Sequence, residues 1–93
     1  MLTRRVLVIG RVQGVGFRDA LCEEARLRGL CGWVRNRRDG SVEALLSGER
    51  EAVEATLRWL EKGPPLARVA EVRVLSEADV DCPPGSFVRL PTA

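Results

Sequence analysis

The sequence contains no histidine and no tyrosine, and its only lysine is Lys62. The absence of histidine excludes the usual zinc sites and every nucleophile that a histidine activates. Three cysteines, Cys22, Cys31 and Cys82, are widely spaced and form no Cys-x-x-Cys motif. We therefore expect three reduced thiols, as in a cytoplasmic protein, and no metal ion.

Long apolar runs are missing as well. The apolar segment near the start, residues 6–10, is too short for a secretion signal, and no later stretch approaches the length of a membrane span. We expect no membrane partner. A chain of 93 residues is large enough for one hydrophobic core, so residues 1–93 are predicted to form a single domain.

Charge is unevenly distributed along the chain. Residues 1–46 carry nine arginines and five acidic residues, whereas residues 47–93 carry six basic and eight acidic residues. The basic half suits a small anionic ligand, but a solvated basic surface explains the composition equally well.

Hydrophobic periodicity predicts a β-α-β-β-α-β order followed by a short edge strand. Strands are predicted over 3–9, 31–35, 41–46, 68–75 and 86–90, helices over 17–28 and 49–62, and a polar loop over 76–85. This order is typical of the ferredoxin-like split βαβ fold of the α+β class. We expect two helices on one face of a four- to five-stranded, mainly antiparallel sheet, with Phe17 and Trp33 as core anchors.

The connection between the first strand and the first helix is rich in glycine. It reads Gly10-Arg11-Val12-Gln13-Gly14-Val15-Gly16-Phe17-Arg18. Glycines let a backbone turn tightly and bring its N–H groups close to an anion, and a helix N-terminus adds free N–H donors. A P-loop would need a lysine and a hydroxyl that are missing here, and a dinucleotide fingerprint would need glycine where Asp19 stands. A glycine-rich connection without a ligand also fits the composition.

Arg18 favours an anion site over a plain connection. A cation in the first turn of a helix opposes the helix dipole at a cost of about 0.3–1 kcal/mol. Asp19 offsets part of this cost, and an anion held between the loop N–H groups and Arg18 would remove it.

Asn36 follows the second strand and is the other candidate functional residue. An asparagine at this position can bond its own turn, or it can direct its amide at the anion site. An amide has both a donor and an acceptor, so it can hold a water molecule in line with a phosphorus atom.

Two motifs in the chain resemble the signatures of the acylphosphatase family. The first is Val8-Ile9-Gly10-Arg11-Val12-Gln13-Gly14-Val15-Gly16-Phe17-Arg18. The second is Gly32-Trp33-Val34-Arg35-Asn36, then three residues, Gly40-Ser41-Val42, five residues and Gly48. The resemblance extends over essentially the whole chain.

This resemblance implies hydrolysis of an acyl phosphate to a carboxylate and inorganic phosphate. It implies that Arg18 and the loop residues hold the phosphoryl group, while Asn36 orients the attacking water; the loop residues are Val12, Gln13, Gly14, Val15, Gly16 and Phe17. It also implies that no metal, cofactor or phosphoenzyme takes part. Relatives often carry an aromatic residue where this chain has Asp19, an acid that either weakens phosphate binding or points away from the site.

Two other functions are compatible with parts of the sequence. A non-catalytic anion-binding module could use the same loop, although it would have no use for Asn36. A ferredoxin-like sheet that binds RNA needs exposed aromatic residues, and this chain has only four aromatics in all. We therefore expect no nucleic-acid partner and a monomer that acts on a small substrate.

Overall fold

Five strands and two helices form the part of the chain that the computed structural model describes, residues 1–76 and 82–93. In chain order they are β1 (Leu2–Arg11), α1 (Phe17–Leu27), β2 (Cys31–Asn36), β3 (Val42–Gly48), α2 (Arg50–Lys62), β4 (Arg68–Ser76) and β5 (Phe87–Arg89). Every predicted element is present, with bounds that differ by one or two residues. Residues 77–81 of the predicted polar loop lie outside the described residues.

The strands form one sheet in the order β4-β1-β3-β2-β5. Neighbouring strands are antiparallel except β5, which runs parallel to β2. The two helices pack on this sheet, so the predicted ferredoxin-like α+β fold is confirmed. Strand β1 lies between β3 and β4, and the loop that follows it is therefore carried by an interior strand of the sheet.

The core lies between the sheet and the helices. Alternate residues of the strands enter it, because successive side chains of a strand point to opposite faces. Helix α1 buries Phe17, Leu21, Cys22 and Ala25, and α2 buries Val53, Thr56 and Leu60. The hydroxyl of Thr56 donates to the carbonyl of Ala52 at 2.9 Å, so its burial leaves no polar atom unpaired.

Phe17 is a core residue, as predicted, with 2% of its surface exposed. Trp33 is not, and the prediction that it anchors the core is wrong. Its neighbour Val34 is the residue of β2 that joins the core cluster, so alternation turns Trp33 to the other face. There the guanidinium of Arg35 lies 4.9 Å from the centre of the indole ring.

Glu43 is buried on the sheet face opposite the helices, although it is charged. Its carboxylate accepts hydrogen bonds from Arg5 at 2.6 Å and Arg35 at 2.8 Å, and Arg37 lies at 3.4 Å. Burial raises the pKa of Glu43, but the hydrogen bonds from Arg35 and Arg5 and the charge of Arg37 lower it further, so the pKa lies below its usual value. The carboxylate therefore stays ionised and cross-links β1, β2 and the hairpin after β2.

We expect Glu43→Gln to lower the free energy of unfolding by about 2 kcal/mol at pH 7, since hydrogen bonds to a charged group are lost. The folded-state pKa is depressed, so the contribution of Glu43 is complete above the unfolded pKa of about 4.3 and disappears as the pH falls through the folded value. Denaturant unfolding at pH 7 and pH 3 should show the difference between variant and wild type shrinking in acid. Glu71→Gln, which breaks an exposed pair with Arg73, is the matched control. Equal effects of the two substitutions would contradict this account.

The cysteines differ from the expectation of three reduced thiols. Cys31 and Cys82 form a disulfide, and only Cys22 is a free thiol, buried in α1. Burial raises the pKa of the Cys22 thiol. The expectation failed because the parallel pairing of β5 with β2 brings the segment before β5 beside the start of β2. Nothing in the spacing of the cysteines predicts that pairing.

Candidate active site

The loop between β1 and α1 encloses a small cavity. Gly14 and Gly16 have φ angles of 74° and 76°, a left-handed conformation that glycine adopts without strain. Gly16 is the N-cap of α1 and makes no side-chain cap, so N–H groups of the first turn are free to bind an anion. The sequence places glycine where the backbone must turn tightly around this cavity.

The cavity has a volume of about 80 Å³. This is enough space for water molecules or for a small anion such as phosphate. Its lining residues are Val12, Gln13, Gly14, Gly16, Phe17, Arg18, Asp19, Asn36 and Arg89.

The structure brings together most of the predicted site residues. Arg18 and Asn36 line the same cavity although 18 positions separate them in the sequence. Val15 is the one predicted phosphate-binding residue that does not line it, and it packs against the core instead. Val12 and Phe17 are almost fully buried, so they face the cavity chiefly with their backbone.

Gln13 fixes the distance between the loop and the hairpin that carries Asn36. Its side-chain amide donates to the carbonyl of Arg37 at 2.7 Å and to the carbonyl of Ser41 at 2.9 Å. These two residues flank the turn after β2, and Arg37 donates in turn to Ser41 at 2.9 Å. Gln13 therefore ties the loop to the hairpin through its side chain.

Asn36 is the last residue of β2, and its side chain does not bond its own turn. That turn is held by Asp39, whose carboxylate accepts from the backbone N–H and the hydroxyl of Ser41 at 2.9 Å and 2.6 Å. The Oδ1 atom of Asn36 is buried and has no hydrogen-bond partner among the described residues. An unpaired buried acceptor costs about 1–3 kcal/mol, so such an atom marks a place where a ligand or water binds.

Arg18 lies in the first turn of α1 and is partly buried. Neighbouring Asp19 forms an ion pair with Arg89, the last residue of β5. Asp19 thus pairs with a second arginine at the cavity. The expectation that Asp19 points away from the site is wrong, whereas a weakening of phosphate binding by Asp19 stays a prediction. Sequence reasoning missed Arg89 because only the parallel pairing of a three-residue edge strand brings it to the site.

The electrostatics of the cavity suit an anion. The lining side chains include two arginines, Arg18 and Arg89, and one carboxylate, Asp19, so together they carry one net positive charge. The N-terminal end of α1 adds a partial positive charge.

No group of three or more residues that could hold a metal ion occurs among residues 1–76 and 82–93. In the same part of the chain, neither helix is long and apolar enough to cross a membrane.

A small cavity at a helix N-terminus, on a split βαβ sheet, defines an α+β protein with a candidate anion site. The family model for acylphosphatase matches residues 4–87. The chain is 48% identical over 92 residues to an acylphosphatase of Acidiphilium cryptum, with 99% of each chain covered. It is 59% identical over 69 residues to an acylphosphatase of an Anaeromyxobacter species, with 74% of each covered.

Solved structures of acylphosphatases are also similar to this chain. The crystal structure of acylphosphatase from Bacillus subtilis superposes with a TM-score of 0.88 at 39% identity, covering 97% of this chain and 99% of that one. An acylphosphatase from Coxiella burnetii gives a TM-score of 0.87 at 36% identity, with 96% and 92% covered. The chain belongs to the acylphosphatase family, and it is an enzyme that hydrolyses acyl phosphates.

Proposed function

We propose that Arg18 and the main-chain N–H groups of residues 12–17 hold the phosphoryl group of the acyl phosphate, and that Asn36 orients the attacking water. The buried, unpaired Oδ1 of Asn36 carries this proposal, because Asn36 lines the same cavity as Arg18. A carbonyl oxygen accepts a hydrogen bond from water and leaves the oxygen lone pair of that water free to attack. The rigid hairpin behind Asn36, held by Gln13, supports a fixed direction of attack.

In the proposed reaction the water oxygen bonds to phosphorus and the bond from phosphorus to the acyl oxygen breaks. The electron pair of that bond stays on the leaving carboxylate. The proton of the water passes to a phosphoryl oxygen, so the residues need supply no strong base. Positioning and neutralisation of the three phosphoryl oxygens are the tasks left to the protein, and the loop donors with one guanidinium suit them. We propose that no metal or cofactor takes part.

Hydrolysis of acetyl phosphate in ¹⁸O-labelled water tests where the water attacks. We expect the label in inorganic phosphate, since attack at phosphorus leaves the two acetate oxygens unchanged. Mass spectrometry of both products measures the distribution. A parallel sample without enzyme, and one in which the products are incubated with enzyme in labelled water, control for spontaneous hydrolysis and exchange. Label in acetate would show attack at the carbonyl carbon and would overturn the proposed geometry.

We further propose that the chain acts as a monomeric single domain in the cytoplasm, without a nucleic-acid partner. The site supports the monomer, because each group assigned to the reaction comes from one copy of the chain. The cytoplasmic location requires either that the Cys31–Cys82 bond persist in a reducing compartment or that the fold tolerate its loss. A non-catalytic anion-binding module is not favoured, since relatives that match over nearly their full length are acylphosphatases.

A further inference from the structure

Arg89 lies at the junction between the phosphate-sized cavity and a larger groove. The groove runs between α1 and β5, has a volume of about 670 Å³, and is lined by residues that include Cys22, Leu27 and Val88. Asp19 and Arg89 line both the groove and the cavity. Because the cavity is small, we expect the acyl group of a bound substrate to extend out of it.

A second groove borders the other side of the loop and offers a different path for the acyl group. It has a volume of about 390 Å³ and is lined by residues that include Arg11, Pro65 and Arg68. It shares only Gly14 with the cavity, a residue without a side chain. The groove between α1 and β5 is therefore the one that meets the cavity at charged side chains.

The backbone of Arg89 is held firmly beside β2. Arg89 pairs with Val34 in the parallel register, and the N–H of Leu90 donates to the carbonyl of Val34 at 2.8 Å. Two residues before Arg89, the carbonyl of Phe87 accepts from Nε and Nη2 of Arg26 at 3.0 Å and 2.7 Å. These contacts fix the origin of the Arg89 side chain next to the strand that ends in Asn36.

The ion pair between Arg89 and Asp19 can be exchanged for a contact with substrate. The side chains are 47% and 74% exposed, respectively. Exposed ion pairs contribute little to stability, so an anionic group of the substrate can displace the Asp19 carboxylate at small cost. Asp19 thus keeps the guanidinium near the opening of the cavity until substrate arrives.

We propose that Arg89 is a further catalytic residue, which stabilises the leaving carboxylate while the acyl group occupies the groove between α1 and β5. This inference rests on the proposed function of Arg18 and Asn36. In the transition state the bond from phosphorus to the acyl oxygen is largely broken, and negative charge accumulates on that oxygen. The departing electron pair spreads over two carboxylate oxygens, whose geometry matches the planar fork of a guanidinium, so the leaving group needs no proton.

The test compares wild type with Arg89→Ala on acyl phosphates whose parent acids range from nitrobenzoic to acetic acid. We expect kcat of the variant for acetyl phosphate to fall about 10- to 100-fold. The decline of log kcat with rising pKa of the parent acid should become steeper, because the variant no longer stabilises the leaving charge. Inhibition by inorganic phosphate should stay the same, since phosphate lacks the leaving group. An unchanged slope, or phosphate inhibition weakened as much as kcat, would overturn the inference.

Two further variants sharpen the test. Arg68→Ala removes an arginine from the other groove and should leave the slope unchanged. If the slope steepens in Arg68→Ala and not in Arg89→Ala, the acyl group occupies the groove beside Arg68, and the inference is wrong. Asp19→Asn should alter kcat or KM more when Arg89 is present than when Arg89 is alanine. Equal effects in both backgrounds would contradict the exchange of partners.

Failure of this inference is distinguishable from failure of the proposed function. Arg18→Ala and Asn36→Ala are measured in the same assay. If both lose activity while Arg89→Ala keeps the wild-type slope, only the role of Arg89 is wrong. If both remain active, the underlying assignment of the site is wrong.

Discussion

Arg18→Ala is expected to reduce kcat for acetyl phosphate on the order of 10³-fold and to raise KM. The guanidinium lies at the phosphate-sized cavity, beside the free N–H groups at the start of α1. Arginines that neutralise a transferring phosphoryl group contribute about 10³- to 10⁵-fold to kcat. Steady-state kinetics with continuous detection of released phosphate measure both parameters.

The same substitution is expected to leave the fold intact or slightly more stable. Arg18 places a positive charge in the first turn of α1, where the helix dipole disfavours it by about 0.3–1 kcal/mol. A drop in activity with an equal or higher Tm would separate a lost contact to substrate from misfolding.

Two control variants belong with Arg18→Ala. Arg18→Lys keeps the charge but loses the bidentate fork, so its activity should lie between wild type and alanine. Arg28→Ala removes an arginine near the other end of α1, paired with Glu24 at 2.8 Å, and should keep wild-type kinetics. Full activity of Arg18→Ala would show that another cation binds the phosphoryl group.

Asn36→Ala is expected to lower kcat on the order of 10²-fold while inhibition by inorganic phosphate is retained, since loss of one oriented catalytic group has effects of this size. The reason is a division of roles within the cavity. In the proposed site the loop and Arg18 supply the donors for phosphate, whereas the unpaired Oδ1 of Asn36 is an acceptor, which an unprotonated phosphoryl oxygen cannot use. Kinetics and phosphate inhibition, measured side by side, test this split.

Asn36→Asp makes the test sharper. The aspartate has nearly the same shape, but its negative charge repels the phosphoryl group, so phosphate inhibition should weaken here and not in the alanine variant. Removal of a buried unpaired acceptor should not destabilise the fold, and the alanine variant should unfold at or above the wild-type Tm. If Asn36→Ala raises KM without changing kcat, Asn36 binds substrate and does not orient water.

Local signals in the sequence were sufficient to predict the fold and the part of the candidate site formed by the loop and Arg18. Alternation in the strands and the 3.6-residue stripe of α1 predicted the elements, because those patterns follow from the period of each backbone. The glycines before α1 and the position of Arg18 predicted an anion site, because tight turns and the charge of a helix N-terminus also follow from local backbone geometry. Asn36 was predicted as an alternative to a turn residue, and only the hydrogen bonds of Asp39 and Ser41 exclude its turn role.

Features that depend on distant pairing were missed. Arg89 reaches the cavity, and Cys82 reaches Cys31, through the parallel alignment of the short β5 with β2. A three-residue strand has too little pattern to reveal its partner or direction. Alternation with Val34 places Trp33 on the outward face, whereas its aromatic character alone predicts a core position. Burial of Glu43 depends on Arg35 and Arg37 from the adjoining hairpin and also on Arg5 from β1, and no local pattern reveals the contact with Arg5.

The disulfide closes residues 31–82 into a covalent ring, and β1 and α1 lie outside it in the chain. Yet β1 lies between β3 and β4, which both belong to the ring. The ring contains Asn36 but not Arg18. Under the roles proposed for these two residues, we expect hydrolysis only while the N-terminal portion is docked on the ring. A chain cut between α1 and β2 should therefore be active only when its two fragments are associated.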